Sequence, residues 1–123
     1  MAERVLIAIV DDEKSVRQAL GRLVVSAGLE AEVFSSAEEF LQSCTDHHPD
    51  CLILDLRLRG MDGLELQSRL AAAHHSMPII FISAHDDPGP RAQALNAGAT
   101  AFLSKPFNDK VLLEAIHLAV NAG

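Results

Sequence analysis

A chain of 123 residues with 49% apolar and 22% charged side chains fits one globular domain with a real core. Its net charge of −7 argues against a nucleic-acid-binding surface, and no run approaches the roughly 18 apolar residues of a membrane span. Met1-Ala2-Glu3-Arg4 leads straight into an apolar stretch, so no signal peptide and a cytoplasmic location are expected. Cys44 and Cys51 make no disulfide framework and read as reduced, packed thiols.

Along the chain the hydrophobic period alternates between strand-like and helix-like. Residues 4–10 predict a first strand. A helix follows over 14–27, with Val16, Leu20, Leu23 and Ala27 at helical spacing and Gly28 as its stop. Residues 31–34 predict a second strand, at an edge because Glu32 interrupts it. Ser36 and Glu39 have capping-box spacing for a helix to about Cys44. Residues 51–55 predict the third strand. A loop containing Gly60 and Gly63 then leads to a helix over 64–73. Residues 79–83 predict the fourth strand, and a helix is placed within 90–97, stopped by Gly98. A fifth strand over 99–103 and a helix capped by Asn108 and running to Val120 complete the pattern.

Of the six histidines, His47, His48, His74 and His75 form two pairs in loop-like stretches without partners at metal-ligand spacing. Solvated loops are the expected reading for them.

Five strand–helix units with right-handed crossovers imply an α/β fold with a doubly wound, five-stranded parallel sheet, order 2-1-3-4-5. Its switch point falls between strands 1 and 3. Those strands end in acids: Asp11 and Asp12 follow the first, and Asp55 closes the third. Ser83 and Lys105 close the fourth and fifth. Acids at adjacent buried strand ends repel one another and call for a cation, and oxygen-only ligation suits Mg²⁺ or Mn²⁺. The set can hold a divalent metal and accept a phosphoryl group. Asp12 is also a candidate cap for the first helix.

The residues Val10-Asp11-Asp12-Glu13, Leu54-Asp55, Gly60-Met61-Asp62-Gly63, Ile82-Ser83-Ala84, Asn96-Ala97-Gly98-Ala99 and Lys105-Pro106-Phe107 occupy nearly every loop after a strand, in order. With them the whole chain resembles the flavodoxin-like receiver domain of two-component response regulators. Asp55-Leu56-Arg57-Leu58 and Gly63-Leu64-Glu65-Leu66-Gln67 look most like the FixJ-type subgroup. That subgroup carries a C-terminal output domain, which is expected to lie beyond the single receiver unit of residues 1–123.

The resemblance implies a phosphoacceptor, Asp55, that takes its phosphoryl group from a sensor histidine kinase. Asp12, Asp55 and the main-chain carbonyl of Arg57 would ligate Mg²⁺ directly, and Asp11 through a water. Lys105 would pair with Asp55 and then with the phosphoryl group. Ser83 and Phe102 take the switch positions, and Arg57 and His85 those that tune phosphate lifetime. Val16, Ala19, Pro106 and Phe107 match the kinase-contact surface. A cis bond before Pro106 and a phosphorylation-dependent homodimer through the fourth helix, fifth strand and fifth helix are implied as well. The domain would catalyse only its own phosphorylation and dephosphorylation.

Two departures stand out. Arg59 replaces the family's usual Pro, and Asp87-Pro88-Gly89-Pro90 falls where the fourth helix begins. Two prolines without N–H groups predict a helix starting at or after Pro90, behind an extended, mobile loop over 85–89. Two rival classes fit less well. A haloacid-dehalogenase-like phosphatase wants acids two residues apart and a cap insertion, and a flavodoxin-like cofactor domain wants a hydroxyl- or Gly-rich loop after the first strand.

Overall fold

The computed structural model describes residues 5–44, 48–85 and 87–121. The apolar runs form strands β1 (Leu6–Val10), β2 (Glu30–Phe34), β3 (Cys51–Asp55), β4 (Ile79–Ser83) and β5 (Ala101–Ser104). Between and after them lie helices α1 (Lys14–Ser26), α2 (Ala37–Ser43), α3 (Gly63–Ala72), α4 (Pro88–Asn96) and α5 (Asp109–Asn121). All strand pairs are parallel and the sheet order is β2-β1-β3-β4-β5, as the sequence predicts.

Alternate strand residues serve two cores. Ile7, Ile9, Ile53, Ile80 and Ile82 pack with Leu20 and Val24 of α1 and Leu112 and Ile116 of α5. Ala8, Val10, Leu52, Leu54 and Phe81 pack with Phe40 of α2, Leu66 and Leu70 of α3 and Ala94 of α4. β3 and β4 are buried along their whole length, because helices cover both faces. β2 keeps Glu30 and Val33 exposed at its edge. Each fully buried Ile, Leu or Phe contributes about 1.5–3 kcal/mol. A one-residue slip would send each side chain to the opposite core, where it does not fit, so register is tightly specified. Val10 therefore pairs with Leu54, and Asp55 with Ile82. Both cysteines are buried, and burial pushes the Cys51 thiol up to about 12, which suits packing rather than reactivity.

Three helices end in the same hydrogen-bonded turn. After α1, Gly28 N–H donates to Val25 O and Leu29 N–H to Val24 O. After α4, Gly98 and Ala99 repeat the pattern on Leu95 and Ala94. After α3, His74 and His75 repeat it on Ala71 and Leu70. The central residue is left-handed each time, at φ 86° for Gly28, 103° for Gly98 and 61° for His74. This is the Schellman motif, which normally takes glycine. A side chain there costs about 1–2 kcal/mol, and His is among the types found there more often than most. The turn after α4 also engages the Ala99 N–H, which is why β5 starts at Ala101 rather than at the expected Ala99.

The start of α4 differs from the expectation. The helix begins at Pro88, with Asp87 extended before it at φ −87° and ψ 125°. Its first backbone bond runs from Arg91 N–H to Asp87 O. The first turn of any helix leaves its N–H groups without an intrahelical acceptor. Pro88 and Pro90 therefore sacrifice nothing there, and Gly89, lacking a Cβ, escapes much of the clash that Pro90 imposes on its predecessor. The expected extended loop is thus limited to residues ahead of Pro88, and Asp86 lies outside the described residues. The capping box of α2 is only half formed. Glu39 N–H donates to Ser36 Oγ, but the Glu39 carboxylate accepts from Ser35 N–H instead of Ser36 N–H. Asn108 caps α5 as expected, its Oδ1 accepting Lys110 N–H at 2.7 Å.

Candidate functional site

The register brings the ends of β1 and β3 side by side, and Asp11, Asp12 and Asp55 meet there with carboxylate oxygens within 4.8 Å of one another. Asp11 is fully buried and Asp55 is 7% exposed. Asp11 Oδ1 accepts Glu13 N–H at 2.9 Å, and Oδ2 lies 3.3 Å from Lys105 Nζ. Asp55 Oδ2 is 3.7 Å from the same ammonium. Lys105 thus pairs with both acids and sits nearer to Asp11 than to its expected partner Asp55. The peptide bond from Lys105 to Pro106 is cis, as expected.

The Lys105 ammonium serves both Asp11 and Asp55, and the cation nearest Asp12 is the exposed Arg59, 4.0 Å away, so the pocket is short of positive charge. The Asp55 carboxyl is pushed up from its ordinary 3.8 to about 6, by burial first and by the neighbouring Asp11 carboxylate second, while Lys105 acts in the opposite direction. Oxygen-only donors with excess negative charge are what a hard divalent cation requires, so this cluster could hold a metal ion.

Asp12 does not cap α1; Glu13 stands at the N-cap, without a side-chain bond. Asp12 Oδ2 accepts Arg59 N–H at 3.1 Å, and Arg59 Nε lies 4.0 Å away. A Pro at position 59 would have no N–H to give, so the departure at Arg59 ties the β3–α3 loop to Asp12. The same loop is held from α2, where Glu38 accepts Met61 N–H at 3.1 Å. Gly63 closes it from below. A Cβ there would stand 2.6 Å from the Asp55 carbonyl oxygen and 3.0 Å from the Phe81 ring, so only glycine lets α3 start this close to the Asp55 backbone.

On the other side, Ser83 is 1% exposed and bonded to its own loop. Its Oγ donates to His85 O at 2.8 Å and accepts His85 N–H at 3.0 Å. Phe102 is buried, its ring 6.1 Å from Phe81. Arg57 N–H points to Asp55 Oδ1 at 3.4 Å, while its side chain reaches away to Asp87 Oδ2 at 2.7 Å. His85 is exposed. Val16, Ala19, Pro106 and Phe107 line one shallow groove beside Lys105, between α1 and the start of α5.

Sequence reasoning missed Glu38, Asp87 and Gln67, which act only through partners distant in the chain. Gln67 Nε2 donates to Ala94 O across the buried α3–α4 contact. Asp62, which caps α3 by accepting Glu65 N–H at 2.9 Å, carried a readable signal in its three-residue spacing from Glu65.

A doubly wound sheet with a carboxylate cluster at its switch point defines an open α/β domain whose ligand crevice lies at that switch point. The model for the response regulator receiver domain matches residues 7–117, and the chain belongs to that family. It is 43% identical over 113 residues to Nodulation protein W of Bradyrhizobium diazoefficiens, covering 92% of this chain and 50% of the relative. To Response regulator protein TmoT of Ectopseudomonas mendocina it is 45% identical over 115 residues, covering 94% of this chain and 52% of the relative. The chain thus spans about half the length of these curated relatives. The crystal structure of FixJ-N superposes with a TM-score of 0.90 at 36% identity, covering 98% of this chain and 96% of that one, in keeping with the FixJ-type resemblance. The chain is therefore a receiver domain, a signalling domain of two-component systems. Among the described residues no helix is long and apolar enough to cross a membrane.

Proposed function

We propose that this receiver domain accepts a phosphoryl group on Asp55 from the phosphohistidine of a sensor kinase, with Mg²⁺ (or Mn²⁺), and switches conformation to control an output, transcription by analogy with its relatives. The observation that carries the reading is the position of Asp55: a carboxylate at the switch point, 3.7 Å from Lys105 and grouped with Asp11 and Asp12. An Asp55 oxygen attacks phosphorus while the P–N bond breaks, its electron pair returning to the kinase imidazole. Asp12, Asp55 and the Arg57 carbonyl are the proposed direct metal ligands, with Asp11 acting through water. Bound Mg²⁺ supplies the positive charge that offsets the phosphoryl oxygens. Lys105, held by Asp11, is placed to meet a phosphoryl oxygen on Asp55.

Ser83 must give up its bond to His85 O to donate to the phosphoryl group. That exchange draws the β4–α4 loop inward and shifts the Phe102 ring between two rotamers. Arg57 and His85 flank the approach of the hydrolytic water and set phosphate lifetime. Val16, Ala19, Pro106 and Phe107 form the kinase-contact groove, and the α4–β5–α5 face serves a homodimer of the phosphorylated form. Phosphotransfer from a sensor kinase supports a cytoplasmic location, and relatives about twice as long support an output domain beyond the receiver unit.

The test is labelling by acetyl phosphate in Mg²⁺. Wild type should take up one alkali- and hydroxylamine-labile phosphoryl group, and Asp55→Asn none, because the amide keeps the shape but is a poor nucleophile. Undiminished label on the variant would remove Asp55 from the role.

A further inference from the structure

The amino ends of β3 and β4 lie at the sheet edge opposite the carboxylates, and there the structure joins residues that the sequence keeps apart. The His48 and His75 rings meet with centroids 4.5 Å apart, tilted by 52°. Both rest on fixed backbone. Below His48, Asp50 N–H donates to Leu6 O and Leu6 N–H donates to Asp50 Oδ2, each at 2.8 Å, with Pro49 buried between. His75 follows the left-handed His74 and closes the Schellman turn of α3 through its N–H to Leu70 O at 2.9 Å. At the matching position α1 and α4 use glycine. Local strain held in place by its surroundings is a recurrent mark of functional sites. A cleft of about 340 Å³ opens here, lined by both rings together with His74, Asp50, Ser76 and Met77.

We infer that His48 and His75 form a second, independent metal site, for an imidazole-preferring divalent transition ion such as Zn²⁺ or Cu²⁺. Neutral imidazole is the commonest protein ligand for these ions. Metal–nitrogen bonds of about 2.0–2.1 Å require the two donor nitrogens within roughly 4 Å of each other. Rings this close can present them without moving the backbone. Water completes the coordination sphere, and the cleft has room for it. The ion would clip the 48–50 segment to the α3–β4 connection, at the end of the sheet remote from phosphorylation. The site does not rest on the proposed role of Asp55.

The experiment is a Zn²⁺ titration of the untagged chain against a chelating dye, with Mg²⁺ in excess so that the carboxylate cluster is not counted. One site is expected, weakened at least tenfold in both His48→Ala and His75→Ala and unchanged in His117→Ala. With Cu²⁺, electron paramagnetic resonance should show coupling to two ring nitrogens in wild type and one in either variant. Equal affinity in wild type and both variants would overturn the proposal. So would a loss confined to one variant, which would place the ion on a single imidazole, or a loss in Asp12→Ala, which would place it in the acidic pocket. His48 is exposed and His75 half-buried, and unchanged far-UV circular dichroism of the variants would show that folding is not the variable.

Discussion

On the β1–β3 side of the pocket each acid is tied to an adjoining segment. Asp11 holds Glu13 N–H and the Lys105 ammonium, Asp12 holds Arg59 N–H, and the Asp55 backbone lies directly against Gly63. On the β4–β5 side the switch hydroxyl and the start of α4 are held more loosely. The Ser83 hydroxyl bonds within its own loop, and α4 has no side-chain cap. α4 buries only Ala94 among its residues, against Leu112, Ile116 and Ala119 for α5. The end proposed to meet cation and phosphoryl group is thus preformed. The end proposed to respond is held by fewer buried contacts, as a two-state element requires.

The harshest way to break the preformed side is Gly63→Ala. The added methyl collides with the Asp55 carbonyl and Phe81, so we expect a loss of roughly 3 kcal/mol in urea unfolding and weaker phosphorylation. Unchanged stability would mean that the α3 start yields freely and the side is not preformed.

Next in size is the burial of Asp55 itself. Its carboxyl titrates near 6 when folded and at an ordinary 3.8 when unfolded, so between these values the folded state holds the extra proton. Without metal, wild-type stability should therefore fall as pH rises through about 6, the penalty complete above it and absent below the ordinary value. Asp55→Asn removes this dependence. It should be more stable than wild type by about 2 kcal/mol near neutral pH, the gap closing in acid and shrinking when Mg²⁺ is added. A gap independent of pH would show that the strain is not electrostatic.

The responsive side is sharpened by Gln67→Ala. Losing its buried bond to Ala94 O should cost about 1–2 kcal/mol and speed amide exchange in α4 while leaving α5 slow. Equal acceleration in both helices would erase the distinction between the two sides. The smallest effect belongs to Arg57→Ala. The Arg57–Asp87 bridge is half exposed, so stability should change by no more than about 0.5 kcal/mol. Faster exchange at His85 and a changed half-life of the phosphorylated domain would assign the bridge to the loop rather than to the fold.

The sequence by itself determined the five strands, their order and the chemistry at their ends. Buried parallel strands need continuous apolar runs, and register follows from which residues must face inward. Asp11, Asp12, Asp55, Ser83 and Lys105 were legible because each follows directly from a strand end. Tertiary structure decided what depends on a partner far along the chain. It set Lys105 nearer to Asp11 than to Asp55, gave Asp12 to Arg59, and placed Glu38 and Gln67 as supports. It also began α4 at Pro88, because the rule against proline in helices lapses in a first turn that has no acceptors to serve. His48 and His75 read as separate loops for the same reason. Ring contact across 27 residues has no periodicity, and only the packing of the α3 C-terminus beside the start of β3 brings the two together.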